Sequence, residues 1–321
     1  MGAGAIGCYV GGCLQAAGVQ VAFVGRPRVL GALREHGLTV SDLDGRRSIL
    51  RAADLHLHET PPPGAALVLL CVKSAATAEA ALQLQAARAG RLVVSLQNGV
   101  SNAATAAAAA PALSVLPGMV PYNVAEIAPG CFHRGTGGEL MAQDDPALRP
   151  WVPVFAAAGV PLKLHADLRA VQWAKLLLNL NNPVNALSGL PLRAQLLDRD
   201  FRRVLAALQV EALAAMRAAG IAPAQITALP PHRVPTVLRL PNWLFERVAA
   251  RMLRIDAKAR SSMADDLALG RKTEIDAFCG EVVRLARSKG LDAPVNAKLQ
   301  QLVETDPRPL SGAALRRELG V

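Results

Sequence analysis

A glycine turn sits at the very start of this chain: Gly2-Ala3-Gly4-Ala5-Ile6-Gly7 fits G-x-G-x-x-G and runs directly into an apolar, alanine-containing stretch. Few short patterns restrict a backbone as much. The glycines let a turn close and bring the N–H groups of a helix start within reach of a pyrophosphate. The pattern alone is weak, because glycine-rich apolar stretches are common, but an apolar run at 21–24 follows the helical stretch, as a βαβ unit requires. Gly2, Gly4, Ala5, Ile6 and Gly7 are therefore candidate dinucleotide contacts. The unit also needs a strand ahead of the first glycine, where only Met1 stands. The expectation is a chain that starts late or a sheet without its central strand, and weak dinucleotide affinity.

The next turn addresses which dinucleotide. NAD sites place a carboxylate on the ribose hydroxyls about 20 residues beyond the glycines. Here no Asp or Glu occurs before Glu35, and the run at 21–24 ends in Gly25-Arg26-Pro27-Arg28. A guanidinium binds a 2′-phosphate through paired charged hydrogen bonds. Arg26 is accordingly a candidate phosphate contact, with two surface arginines as the plain alternative, and NADP(H) is the expected cofactor.

Apolar runs at 67–72, 92–96 and 113–116 alternate with alanine-rich helical stretches at 75–88 and 100–110. That alternation predicts a parallel α/β sheet. A hairpin is expected around 122–141, then a helix near 146–158 and a strand near 161–165. After Asp167 the strand signal ends, and helical periods follow at 168–182, 193–219, 242–255 and 273–290, with a proline-rich loop or lid at 230–241. The expected division is 1–167, a dinucleotide-binding domain, and 168–321, a helical substrate and catalytic domain.

Composition limits the rest. With 321 residues, 52% apolar and 19% charged, the chain is globular and suits two domains. Its net charge of +10 rests on arginine, since only seven of the 35 basic residues are lysine. The arginines are scattered, without a dense block or interleaved aromatics, which argues for a solvated surface rather than nucleic-acid binding. The first charge is Arg26 and seven glycines precede it, so the apolar start lacks the basic region of a signal peptide. No run reaches the ~18 apolar residues of a membrane span. Five scattered cysteines form neither a Cys-x-x-Cys pair nor a zinc-type spacing, so no metal site is expected and a reducing compartment, the cytoplasm, is.

Two constellations in the second half carry chemistry. Trp173-Ala174-Lys175-Leu176-Leu177-Leu178-Asn179-Leu180-Asn181-Asn182-Pro183 places Lys175, Asn179 and Asn182 at i, i+4 and i+7, one helical face among leucines. Polar groups in so apolar a helix are costly unless something polar meets them. Pro183 cannot donate to the carbonyl of Asn179. A polar helix edge at the surface is the plain alternative. Further on, Ser261-Ser262-Met263-Ala264-Asp265-Asp266 precedes Gly270-Arg271-Lys272-Thr273-Glu274-Ile275-Asp276. Were 262–274 one straight helix, its ends would lie about 18 Å apart. A break at Gly270 lets Ser262 and Glu274 reach one site, and Thr273 with Asp276 can cap a following helix.

Together these stretches resemble the ketopantoate reductase (2-dehydropantoate 2-reductase) family, from Gly2 to about Val303. The ordered set is specific: the glycine turn, Asn-Gly after a strand, Lys-x-x-x-Asn, Ser-Ser-Met-x-x-Asp and Gly-Arg-x-Thr-Glu-Ile-Asp. The resemblance implies that Lys175 protonates the oxygen formed as hydride reaches C2 of a 2-oxo acid, with Glu274 organising lysine and cofactor. It implies that Asn98, in Gln97-Asn98-Gly99, touches cofactor and substrate, that Asn179 and Ser262 hold the substrate, and that Lys73 lies beside the cofactor. This sequence departs from the family at Pro183, where a second asparagine is frequent. Asn182 is the substitute, and Asn181 or Asn185 could equally serve. A further asparagine frequent in the family has no counterpart in 188–195.

The expectation is thus an α/β chain, a Rossmann-type NADP-binding domain followed by an all-α C-terminal domain, with its active site in the cleft between them. The expected reaction is NADPH-dependent reduction of ketopantoate to pantoate. The rivals are reduction of another small 2-oxo acid and a non-catalytic NADP(H) sensor, which would not require Lys175 and Glu274. A homo-oligomer is compatible with the sequence, and nothing in it calls for nucleic acid or membrane.

Overall fold

The computed structural model describes residues 1–250, 253 and 259–321, in two units, Met1–Leu168 and Arg169–Val321. The first unit opens with α1 (Ala5–Ala16), β1 (Ala22–Val24) and α2 (Pro27–His36), then β2 (Leu38–Asp42), β3 (Arg47–Leu50), β4 (His56–His58) and β5 (Val68–Leu70). It continues with α3 (Thr77–Ala86), β6 (Leu92–Ser95), α4 (Asn102–Ala109), β7 (Ser114–Met119), β8 (Val124–Ala128), β9 (Cys131–Arg134), β10 (Leu140–Gln143), α5 (Val152–Ala157) and β11 (Leu162–His165).

These strands form three sheets, where the sequence suggested one. A five-stranded sheet runs β11-β10-β7-β6-β5, a four-stranded one β3-β2-β9-β8, and β1 pairs with β4. β5, β6 and β7 are parallel, as expected of α/β units, while β10 is antiparallel to β7. The hairpin expected over 122–141 is β8 and β9, and β10 joins the other sheet. Among the described residues β1 and β5 are not paired with each other.

The core of the first unit is mostly aliphatic, with few rings. α1 buries Cys8, Tyr9, Val10, Cys13 and Leu14. Tyr9 meets Tyr122 edge-on, centroids 5.9 Å apart at 73°. The Arg134 guanidinium lies 5.5 Å from the Tyr122 centroid and pairs with Asp42 at 3.2 Å and Asp44 at 2.7 Å. A buried arginine is held there by two carboxylates and a π face.

The described helices of the second unit are α6 (Leu168–Asn179), α7 (Asn181–Ser188), α8 (Leu192–Leu197), α9 (Arg199–Ala218), α10 (Val234–Leu238), α11 (Asn242–Val248), α12 (Ser262–Ala268), α13 (Cys279–Arg287), α14 (Pro294–Thr305) and α15 (Gly312–Leu319). α9 is the central element. Asp198 caps it by accepting from the Asp200 N–H at 2.8 Å, and its inner face buries Phe201, Val204, Leu205 and Leu208. From the same helix, Glu211 accepts from the N–H groups of Val295 (2.8 Å) and Asn296 (3.0 Å), so a carboxylate closes the start of α14.

Three expectations change here. The helical period 168–182 is broken: α6 stops at Asn179 and α7 starts at Asn181, because Pro183 fits the first turn of a new helix, where a missing N–H costs little. The proline-rich piece 230–241 is not an open loop. It forms a 3-10 turn (Pro231–Arg233) and α10, fastened to α9 by Arg202, whose guanidinium donates to the carbonyls of Leu238 (3.1 Å) and Leu240 (2.9 Å). The period 273–290 is a 3-10 turn (Ile275–Ala277) and then α13, and Thr273 with Asp276 does not cap it, because the Asp276 carboxylate instead accepts from Arg284 Nη1 at 2.6 Å. Of the period 242–255, α11 covers the first half, and residues 251, 252, 254 and 255 lie outside the described residues. Among the described residues no helix is long and apolar enough to cross a membrane.

Candidate active site

In the first unit the glycine turn hangs from the end of β1. The N–H groups of Gly2 and Ala3 both donate to the Val24 carbonyl at 2.9 Å, and Gly4 N–H donates to the Gly2 carbonyl at 2.8 Å. Gly2 has φ +96°, and a Cβ there would stand 2.6 Å from the Val72 nitrogen; a Cβ on Gly7 would run into the Gly2 carbonyl oxygen. The protein's own packing therefore requires both glycines. A Cβ on Gly4 would meet no protein atom within 4 Å, so that glycine leaves an open approach to the backbone. α1 begins at Ala5 with Gly4 as N-cap and no side-chain cap, so the first-turn N–H groups of Ala5, Ile6 and Gly7 point out of an uncapped helix start. This cradle fits a pyrophosphate.

Arg26 follows β1, stands at the N-cap position of α2 and is exposed. Arg28 is less available than the sequence suggested. Glu126 on β8, almost a hundred positions away, lies 3.8 Å from its guanidinium. No local scan for carboxylates could have found it.

Lys73 and Asn98 follow β5 and β6, two parallel neighbours, so both lie at the C-terminal edge of the sheet, where α/β folds bind ligands. A polar network fixes the two turns. Gln97 Nε2 donates to the Val72 carbonyl (2.9 Å) and to Thr77 Oγ1 (2.7 Å); Thr77 Oγ1 donates to Asn102 Oδ1 (2.9 Å). Asn102 Nδ2 then donates to the Asn98 carbonyl at 2.5 Å. Gln97, Thr77 and Asn102 are buried. The sequence reading did not single them out for this role, and polar residues at the starts of alanine-rich helices were the available signal.

In the second unit Lys175 is half-buried on α6, flanked by buried Ala174, Leu176 and Leu177. Burial pushes its pKa down to about 8, against the opposing pull of the Glu274 carboxylate. Of the two effects burial is the larger. Glu274 is also half-buried, immediately ahead of the 3-10 turn, and its carbonyl accepts from Ala277 N–H at 2.9 Å. Asn179 is the last residue of α6, one turn on from Lys175.

The break after Asn179 puts Asn182 on α7 rather than on a continuous face with Lys175. Asn182 is nevertheless tied to the other constellation, because its carbonyl accepts from Ser261 Oγ at 3.1 Å. Ser261 also caps α12, accepting from Ala264 N–H at 3.2 Å, which sets Ser262 as the exposed first residue of that helix. Asn185 is fully buried and structural: its Nδ2 donates to the Leu190 carbonyl (2.9 Å) and its Oδ1 accepts from Ser261 N–H (2.9 Å). Asn181 Oδ1 accepts from Gln195 Nε2 at 3.2 Å. Gly270, at φ +61°, ends α12 two residues after Ala268, and Arg271 N–H turns back to the Asp266 carbonyl at 2.8 Å. Residues 262–274 are therefore not one straight helix. Among the described residues no group of three or more His, Cys, Asp or Glu could hold a metal ion.

Comparison with known proteins bears on both units. The family model described as "Ketopantoate reductase PanE/ApbA" matches residues 1–145, and "Ketopantoate reductase PanE/ApbA C terminal" matches 167–305. A 2-dehydropantoate 2-reductase of Halobacterium salinarum is 31% identical over 96% of this chain and 97% of its own length. A crystal structure of a PanE/ApbA family ketopantoate reductase from Ralstonia eutropha JMP134 is similar at TM-score 0.80 and 32% identity, covering 95% of this chain and 96% of that one. The fold alone is shared with a D-mandelate dehydrogenase solved with NADH and anilino(oxo)acetate, at TM-score 0.74 and 18% identity over 100% of this chain and 98% of that one.

Proposed function

Since the chain belongs to the ketopantoate reductase family and is an oxidoreductase of that type, we propose that it reduces 2-dehydropantoate to pantoate with NADPH. That would make it a cytoplasmic enzyme on the way to pantothenate and coenzyme A. The observation that carries the reading is Lys175: a half-buried lysine among leucines, within the field of Glu274, whose pKa is lowered to about 8. An ordinary lysine holds its proton too firmly to be a good acid at neutral pH, and one shifted to about 8 does not.

In this proposal residues 1–167 bind the dinucleotide and 168–321 carry substrate and acid. The first-turn N–H groups of Ala5, Ile6 and Gly7 hold the pyrophosphate over Gly2 and Gly4, Arg26 takes the 2′-phosphate, and Lys73 and Asn98 flank the nicotinamide side. When bound, the cofactor supplies the hydride that adds to C2 of the oxo acid. Lys175 holds the proton at Nζ and releases it to the carbonyl oxygen as charge develops there. Glu274 keeps enough of the lysine protonated to act. Asn179, Asn182 and Ser262 orient the oxo acid. Of the three asparagines considered, Asn182 is best suited, because Asn185 already uses both side-chain amide atoms and Asn181 is engaged by Gln195.

A second substrate, another small 2-oxo acid handled by the same groups, is favoured by one observation: with Pro183 in the first turn of α7 and Asn185 turned into the core, the polar lining differs from the family pattern. Steady-state rates with NADPH across a panel of 2-oxo acids test both. A clear preference for ketopantoate supports the first reading, and preference for a smaller or aromatic oxo acid supports the second. No turnover of any of them, by protein that binds NADPH, would overturn both.

A further inference from the structure

The helix that carries Lys175 and Asn179 does not close its own end. α6 stops at Asn179, so the carbonyls of Leu176, Leu177, Leu178 and Asn179 have no N–H within that helix to meet them. Leu180 N–H donates to the Leu176 carbonyl at 3.0 Å. Four residues on from Asn179 stands Pro183, which has no N–H to give. The Leu177 carbonyl takes a partner from another helix: Gln209 Nε2, on α9, donates to it at 2.9 Å across 32 positions of sequence. A side-chain amide thus stands in for a helical N–H, two residues before Asn179.

Gln209 is an expensive choice for this position. It is buried, on the face of α9 that also buries Leu205, Leu208 and Ala212. It lines a small, mostly apolar cavity with Ala174, Leu177 and Leu178 of α6 and with Ile226 and Val234. Among the described residues nothing hydrogen-bonds to its Oε1. A buried amide with half its capacity unused is destabilising, so packing alone favours leucine or methionine here. What the glutamine supplies, and those residues lack, is the donor to Leu177. Its orientation is fixed as well. Turning the amide over would bring Oε1 against the Leu177 carbonyl oxygen, and swinging it aside would leave Nε2 among aliphatic walls.

We propose that Gln209 is a positioning residue for the reduction: by holding the last turn of α6 through the Leu177 carbonyl, it sets where the Asn179 carboxamide stands. The inference rests on the reading that Asn179 orients the oxo acid. Lys175 lies one turn earlier, within the regular part of α6, so the effect falls on substrate orientation rather than on proton transfer.

Gln209→Met keeps the volume and removes the donor. It should raise the KM for ketopantoate, or for the oxo acid the protein prefers, roughly three- to tenfold, the worth of one buried hydrogen bond, while kcat changes less than about twofold. In the Asn179→Ala background the same substitution should add little, because the group it positions is gone. The side-chain amide resonance of Asn179 in nitrogen-labelled protein, assigned by its loss in Asn179→Ala, should shift in Gln209→Met with no oxo acid present. Should the methionine variant not fold, Gln209→Ser admits water to the Leu177 carbonyl and should give the same shift and the same rise in KM, since a water does not fix the turn. An unmoved Asn179 resonance would overturn the proposal, and so would a KM effect that simply multiplies with that of Asn179→Ala. An unchanged KM in Asn179→Ala, beside a shifted resonance in Gln209→Met, would instead overturn the reading of Asn179 as a substrate contact and uphold Gln209 as what places it.

Discussion

The side-chain oxygen of Asn185 accepts a 2.9 Å hydrogen bond from the backbone N–H of Ser261, 76 positions further along the chain. With the Ser261 hydroxyl on the Asn182 carbonyl at 3.1 Å, this fastens the start of α12 to α7 and sets where Ser262 stands. Both of the asparagine's amide atoms are engaged and the residue is fully buried.

Asn185→Ala therefore takes the side-chain partner from the buried Ser261 N–H and from the Leu190 carbonyl. The expected loss of stability is roughly 1–3 kcal/mol, read by urea unfolding. The KM for the oxo acid should rise more than kcat falls, since the change shifts Ser262 and Asn182 rather than the proton donor. Unaltered stability and KM would show that α12 is positioned by something else.

How much of this was legible in the sequence depends on whether the signal was local. The glycine turn, the strand runs before Lys73 and Asn98, and the left-handed Gly270 could all be read, because each is a short pattern with one backbone solution. β2, β3 and β4 were not read, although Leu38-Thr39-Val40-Ser41-Asp42 alternates with period two. These strands are short, and the polar residues of that stretch resemble loop composition. The break at Leu180 was missed because leucines and asparagines continue the helical period through it, and only Pro183 marks it. Long-range partners were out of reach in principle: Glu126 beside Arg28, Asn102 beneath Asn98 and Ser261 on Asn185 are matched by folding, not by spacing.

The cofactor proposal separates two arginines that look alike in sequence. Arg26 should contribute charged hydrogen bonds to a 2′-phosphate, worth about 1.5–3 kcal/mol, so Arg26→Ala should raise the KM for NADPH about 10- to 100-fold. NADH kinetics should change little. Arg28→Ala should have a smaller effect, because that guanidinium is shared with Glu126 at 3.8 Å. If the unmodified protein uses NADH better than NADPH, the phosphate role of Arg26 is wrong.

Arg202 is fully buried and donates to the carbonyls of Leu196, Leu197, Leu238 and Leu240 and to Asn242 Oδ1, with its guanidinium 4.1 Å from the Phe245 centroid. Five acceptors in a fork pattern suit a guanidinium and not an ammonium. Arg202→Met should destabilise by about 3–5 kcal/mol, since it strands several buried carbonyls at once, and Arg202→Lys should recover little of that. Thermal unfolding of both variants checks it. A lysine variant within a degree or two of wild type would show that charge, not geometry, is what α10 needs.

The strongest commitment concerns Lys175. If it donates the proton, it must be protonated when substrate binds, and burial sets its pKa at about 8. The sign follows directly: kcat/KM for reduction should be level below that pH and fall about tenfold per unit above it. Glu274 pulls the value upward, so Glu274→Gln should move the bend to lower pH as well as lower the rate. Lys175→Ala should reduce kcat by about 10² to 10⁴, the usual worth of general acid catalysis, while NADPH binding measured by fluorescence titration stays nearly unchanged. Lys175→Arg should not restore turnover, because a guanidinium does not release its proton in this range. Asn179→Ala should act mainly on the oxo acid KM, since it orients and does not transfer. A Lys175→Ala protein that keeps more than about a tenth of wild-type turnover would take the lysine out of the chemistry, and a bend in the wild-type profile that persists in that variant would assign the titration to another group.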